Sequence, residues 1–296
     1  MGRLAFQVGR AIKSHSAESV HDLRVAIRRF VQALRVFRPC FRGKELRKIR
    51  RELKGTMSAA GEVRNHDIVL KLLAKSRSAE RTSLQAKIQS RRREIERSLV
   101  TLLKGWLERK SSIKWRGALE RAGAEANDDS SRAPIAQTAR KMLPGMAQDF
   151  FERGDEAAGA KASPRELHQF RLASKKFRYT LELFTPLSEP LLNPKLEAMR
   201  RVQTLLGDIN DCETVRGLLD EYEGVEDVAA WLKKRQRKRL VEFRECWAKT
   251  FASEQERRSW IDSFKHFASE PRAAKKPANR SAPESRPGAR SGAAVA

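Results

Sequence analysis

Two short segments hold the residues whose types and spacing suit chemistry. Residues 20–37 read VHDLRVAIRRFVQALRVF and residues 167–184 read LHQFRLASKKFRYTLELF. At a constant offset of 147 residues, His21 stands over His168, Arg24 over Arg171, Ala26 over Ala173, Phe30 over Phe177, Leu34 over Leu181 and Phe37 over Phe184. A histidine followed three residues later by an arginine shares a helical face with it, so both reach one anion. Arginine forks match phosphate oxygens, and an imidazole with an ordinary pKa of about 6.5 would link such binding to pH.

At about 100° per residue, Leu23, Ile27, Phe30, Leu34 and Phe37 fall on one face with the spacing of a bundle core. His21, Arg24, Arg28 and Arg35 gather in a stripe roughly 130° away around the same helix. In the second copy Phe170, Phe177, Leu181 and Phe184 repeat the core, and His168, Arg171, Lys175 and Arg178 repeat the stripe. Cations stacked three and four apart repel one another, so the stripe is stable only in water or against anions. A solvated basic face is the plain alternative for one stripe; its return in register favours a site.

More basic residues follow on a third helix, where Lys44, Arg47, Arg51 and Lys54 form a secondary anion track with Arg35. Arg91, Arg92 and Arg93, and the run Lys233, Lys234, Arg235, Arg237, Lys238 and Arg239, encircle their helices and read chiefly as solvated surface. No metal site is expected, because the histidines lack zinc-ligand spacing and Cys40, Cys212 and Cys246 are scattered. No catalytic residue is assigned either. Phosphoryl transfer generally needs a carboxylate-held metal or a Gly-rich phosphate loop, and the nearest acids, Asp22 and Glu182, read as helix salt-bridge partners.

The elements that must position these residues are helices throughout. Periodicity near 3.6 recurs along the chain and nowhere gives way to the alternation of strands, so the fold class is all-α. Helices are expected near 3–14, 17–37, 44–60, 65–75 and 80–108, then near 136–152, 164–185, 194–206, 210–222 and 226–252. Ser163-Pro164-Arg165-Glu166 has the form of a capping box, and Ser16 lies 147 residues before Ser163, so the repeat includes its N-cap. Residues 122–134 read as a polar joint and 153–163 as a loop. The repeat divides a domain over 1–268 into halves of about 1–124 and 135–268, and 269–296, rich in Pro, Ala and Arg, reads as a disordered basic tail.

The chain has 296 residues, with 62 Lys and Arg against 37 Asp and Glu and a net charge of +25. Such a balance implies a polyanionic partner without choosing one. No secretory signal and no membrane span stand out, so a cytoplasmic protein is expected. Nucleic-acid binding is the alternative partner reading, against which the five Trp and most Phe fall at apolar-periodic positions and leave no platform for base stacking. An enzyme acting on phosphate chains is a further alternative.

The pattern H-x-x-R-V-A-x-R-R-x-x-x-x-L-R-x-F, returning as H-x-x-R-x-x-x-K-K-x-R-Y-x-L-E-x-F, resembles the CHAD family, the conserved histidine α-helical domain. Gly61-Glu62-Val63-Arg64-Asn65-His66-Asp67-Ile68 is similar to the family's Gly-x-x-Arg-Asp-x-Asp-Val element, with Asn65 in place of Asp. Leu206-Gly207-Asp208-Ile209-Asn210-Asp211 resembles its second-half counterpart, at an offset of 146. The resemblance implies two antiparallel four-helix bundles related by a pseudo-two-fold, with a basic cavity or groove between them. It also implies binding of inorganic polyphosphate, without cofactor, and association with polyphosphate granules. Carried onto this chain, the binding site comprises His21, Arg24, Arg28, Arg29, His168, Arg171, Lys175, Lys176 and Arg178, with Arg64 as a secondary position.

Overall fold

A computed structural model describes residues 1–40, 44–76, 81–125 and 135–267. Among them are ten α-helices and no strand: α1 (Gly2–Ser14), α2 (Ala17–Val36), α3 (Lys44–Leu73), α4 (Arg81–Glu108), α5 (Ser111–Glu125), α6 (Ile135–Ala158), α7 (Pro164–Phe184), α8 (Glu189–Leu219), α9 (Glu226–Phe251) and α10 (Glu254–Lys265). The all-α class expected from periodicity holds. The expected tail lies outside the described residues.

The two repeat helices start where their caps direct. The Ser16 hydroxyl accepts from the Ser19 backbone N–H at 3.1 Å. Ser163 and Glu166 close a reciprocal capping box, with the Ser163 N–H donating to the Glu166 carboxylate at 2.6 Å. Each cap satisfies N–H groups that the first helical turn leaves without partners.

Four boundaries differ from the sequence reading. The helices expected at 44–60 and 65–75 form one helix, α3, and those at 194–206 and 210–222 form α8. Gly61 and Gly207 weaken a helix by about 1 kcal/mol each without ending it, and the packed faces on either side carry it through. Helix α8 begins at Glu189, because Pro190 fits the first turn, where its missing N–H has no partner to lose. Helix α6 runs to Ala158, into the expected loop at 153–163. Helices α5 and α10 were not expected; α5 takes up the start of the 122–134 joint, whose remainder lies outside the described residues.

Three cores hold the helices together. One gathers α1 to α5 around Leu23, Ile27, Leu34, Ile49, Leu53 and Trp106. A second gathers α6 to α10 and is rich in rings: Phe150 lies 5.3–5.6 Å from Phe170, Phe177, Trp247 and Phe251. The third joins the ends of α3 and α8 to the starts of α4 and α9 through Val69, Leu73, Ile88, Val215 and Leu232. It couples the halves through segments that lie outside the doubled motif.

The doubled helices also pack directly on each other. Phe37 and Phe184, counterparts in the repeat, meet edge to face at 6.4 Å. Buried Gln32 donates to the Thr180 hydroxyl at 2.8 Å, itself buried. Val36, at the end of α2, belongs to the second-half core. Helices α2 and α7 are therefore the seam along which the two basic stripes face a common space.

Candidate functional site

Helix α2 carries Arg24 and Arg28 to the seam, α7 carries Arg171, Lys175 and Lys176, α3 adds Arg64, and α8 adds Asp211. The Arg24 guanidinium reaches α3, where its Nη1 donates to the Met57 carbonyl at 3.0 Å. Gly61 makes that approach possible: a Cβ there would stand 2.7 Å from Arg24 Nη1. The glycine of the Gly-Glu-Val-Arg-Asn motif thus belongs to the setting of Arg24.

Burial, with neighbouring charge second, shows in the titration of these groups. Burial, then repulsion by Arg28, Arg64 and Arg171, lowers Arg24 to about 10. Burial, then Arg171 and Arg28, lowers the Lys175 ammonium to about 6, against the attraction of Asp211. Arg171 is lowered by burial while Asp211 opposes, and its Nε is buried without a protein partner. His21, open to solvent on one side, is lowered by partial burial and by Arg64. Burial raises Asp211, against the pull of Arg171, Arg64 and Lys175.

Beside this cluster opens a cavity of about 590 Å3 between α2, α3 and α7. Eight of its lining residues are Arg or Lys: Arg28, Arg35, Arg47, Arg50, Arg51, Lys54, Lys175 and Lys176. No acidic residue lines it. Excess positive charge in a concave wall focuses field and raises the local concentration of anions.

The sequence-derived candidates divide into those the fold leaves available and those it occupies. Arg28, Lys175 and Lys176 line the cavity with Arg35, Arg47, Arg51 and Lys54, while Arg24, Arg171 and His21 belong to the charged cluster beside it and do not line it. Lys44 is exposed on the first turn of α3 and does not line it. His168 is exposed and also lies off the cavity wall. Arg29 instead pairs with Glu182 at 2.8 Å, and Arg178 approaches the same carboxylate at 3.6 Å. Asp22 accepts from Arg10 at 2.7 Å, so both acids act as the salt-bridge partners expected of them.

Arg50 and Asp211 were missed. Residues 47, 50, 51 and 54 follow i, i+3, i+4, i+7 spacing, and that signal could have added Arg50 to the track. Asp211 lies 146 residues after Asn65, so the second half holds a carboxylate where the first holds an amide. The runs on α4 and α9 are partly tied down: Arg92 pairs with Asp67 at 2.6 Å, and Arg239 with Asp208 at 2.9 Å. Trp106, Trp115, Trp247 and Trp260 are buried in the cores, while Phe6 is exposed on α1. Among the described residues no group of three or more His, Cys, Asp or Glu could hold a metal ion, and no helix is long and apolar enough to cross a membrane.

Comparison with known proteins gives one family and one fold. A family model described as the CHAD domain matches residues 4–220. The crystal structure of the CHAD domain from the plant Ricinus communis superposes with a TM-score of 0.59 at 19% sequence identity, covering 88% of this chain and 87% of that one. A search of curated proteins found no match.

Proposed function

The chain belongs to the CHAD domain family, and from that premise we propose that it binds inorganic polyphosphate in the seam between α2 and α7, as a binding protein without chemistry of its own. One observation carries this reading: eight Arg and Lys side chains surround a single cavity with no acid in its wall. Polyphosphate is a dense line of charge without base edges, so recognition asks for positive charge at close spacing and for little else. Arg28 and Lys175 would meet the chain on the cavity wall, next to the cluster that holds Arg24 and Arg171, and Arg47, Arg51, Lys54 and Lys176 would guide it outward. Individually weak contacts along one polymer add through effective concentration. On the same reading the protein attaches to polyphosphate granules.

The buried tryptophans speak against single-stranded nucleic acid, which is usually held by exposed aromatic platforms. The test is binding of long-chain polyphosphate, and of single- and double-stranded DNA of matched length, at about 150 mM salt, where non-specific DNA binding is weakened. Wild type and the double variant Arg24→Ala/Arg171→Ala are compared. Tight polyphosphate binding that the variant loses, with DNA much weaker, is the expected result. Equal affinity for DNA, or a variant that binds as well as wild type, would overturn the reading.

A further inference from the structure

The cavity is lined by more than charge. Of its fifteen lining side chains eight are Arg or Lys, one is Gln32, and six are apolar or aromatic. Ile27 and Leu53 are closed into the first-half core, so the apolar floor open to a ligand is made by Val31, Met57 and Leu172, beside Tyr179. Leu172 is 52% exposed, whereas Phe170, Phe177, Leu181 and Phe184 of the same helix pack into the second-half core.

A bare phosphate chain neutralises the rim and leaves this floor in water. A ligand in which phosphates are joined to an apolar or planar body would serve both, and the volume of about 590 Å3 falls within the range of about 300–1,000 Å3 usual for one small molecule. Arg47, Arg50 and Arg51 have no acidic partner among the described residues, so their guanidinium planes are available. Such planes stack on nucleobases as readily as they fork to phosphates. An alkyl phosphate would share the charge and the apolar body but would offer no plane for them.

We infer that this cavity binds nucleoside polyphosphates, with the phosphates against Arg28, Lys175 and Lys176 and the base between the α3 arginines and the floor of Met57 and Leu172. This rests on reading the seam as a phosphate site, and it adds the class of small ligand. A nucleotide would then compete with polyphosphate for the same cations, and the cellular nucleotide pool would set how much polymer the protein holds.

Calorimetric titration of the full chain with tripolyphosphate, ATP, GTP, AMP and dodecyl phosphate, without magnesium and at about 150 mM salt, separates the terms. ATP and GTP are expected to bind about tenfold more tightly than tripolyphosphate, which carries a similar charge but no base. Leu172→Ser, at an exposed position that the fold does not need, is expected to cut that ratio by about threefold. Equal affinity for tripolyphosphate and nucleotide overturns the inference, as does a ratio that Leu172→Ser leaves unchanged, or dodecyl phosphate binding more tightly than AMP. Tripolyphosphate and long-chain polyphosphate titrated alongside keep the two proposals apart. If both bind and the base adds nothing, only this inference falls; if neither binds, the phosphate site falls with it.

Discussion

Arg29 of the first repeat and Glu182 of the second close an ion pair at 2.8 Å across the seam. In the repeat Glu182 occupies the place of Arg35, so the doubled stripe changes sign at this point. The acid quenches Arg29 on α2 and reaches Arg178 on its own helix at 3.6 Å. Arg35, its counterpart, faces the cavity instead. A single carboxylate therefore divides the basic residues of the seam into a structural group and an available group.

Glu182→Gln is expected to lower stability by about 1–3 kcal/mol, the usual cost of stripping a charged partner from half-buried groups. It is also expected to strengthen polyphosphate binding, since Arg29 and Arg178 become available. Denaturant midpoints and binding isotherms check both directions. Weaker binding in a folded variant would count against polyanion binding at this seam.

Gly61→Ala separates the role of the motif glycine from helix stability. The new Cβ would meet Arg24 Nη1 at 2.7 Å and push the guanidinium from the Met57 carbonyl. Since the obstructing atom ends a flexible side chain, and alanine favours the helix by about 1 kcal/mol, the melting temperature should hold or rise. Polyphosphate affinity should change severalfold, because a cation deep in the seam has moved. A binding curve unchanged from wild type would show that the position of Arg24 does not matter.

Lys175 sets a pH window. In the free protein its ammonium titrates at about 6, so at neutral pH the amine is mostly uncharged. It faces Arg171 and Arg178 on α7, Arg28 on α2, Asp211 on α8 and the Arg47, Arg50, Arg51 and Lys54 group across the cavity on α3. A bound polyanion favours the charged form, so binding takes up a proton. Affinity should therefore rise as pH falls toward about 6 and then level off, as far as this group is concerned. The slope is at most about one decade per pH unit for a single proton.

The same depressed pKa makes the unfolded chain hold more protons at Lys175 above pH 6 or so, so its contribution to the stability of the free protein rises with pH. Lys175→Met removes this residue's part of both slopes. His21 and Asp211 still titrate in that variant, and the difference from wild type isolates the lysine. Isotherms and melting curves at several pH values, with identical slopes for the two proteins, would contradict this account.

Gly154→Ala is expected to be among the costly small substitutions. A Cβ there would stand 1.9 Å from the Trp247 ring, and that ring is fixed by packing on Phe150, Phe170 and Phe251 and by its Nε1 donating to Asp155 at 3.0 Å. Overpacking of this kind costs about 1–3 kcal/mol. A clear drop in melting temperature is expected, with polyphosphate affinity per folded molecule unchanged, because the contact lies in the second-half core.

Much of the scaffold was legible in residues 16–37 and 163–184. Their caps, apolar faces and basic stripes are local properties, set by 3.6-residue periodicity and by hydroxyl groups placed to accept the first N–H groups. Helices α3 and α8 were less legible, since Gly61 and Gly207 resemble stops until the packing around them is known. Helix α10 carried a readable signal, as Ser253 accepts from the Glu256 N–H.

The sequence by itself determined that the chain is helical, that it carries one basic helix twice and that its positive charge seeks an anion. Periodicity, capping and net charge follow from residue order alone. Only the tertiary structure decided which cations are available and which are held by Glu182, Asp67 and Asp208. It also brought Arg50 to the cavity, Arg24 onto Gly61 and Asp211 opposite Arg171. These are relations between helices far apart in the chain. They depend on crossing geometry and on burial, which govern a charge's partners and its desolvation and leave no periodic trace in the sequence.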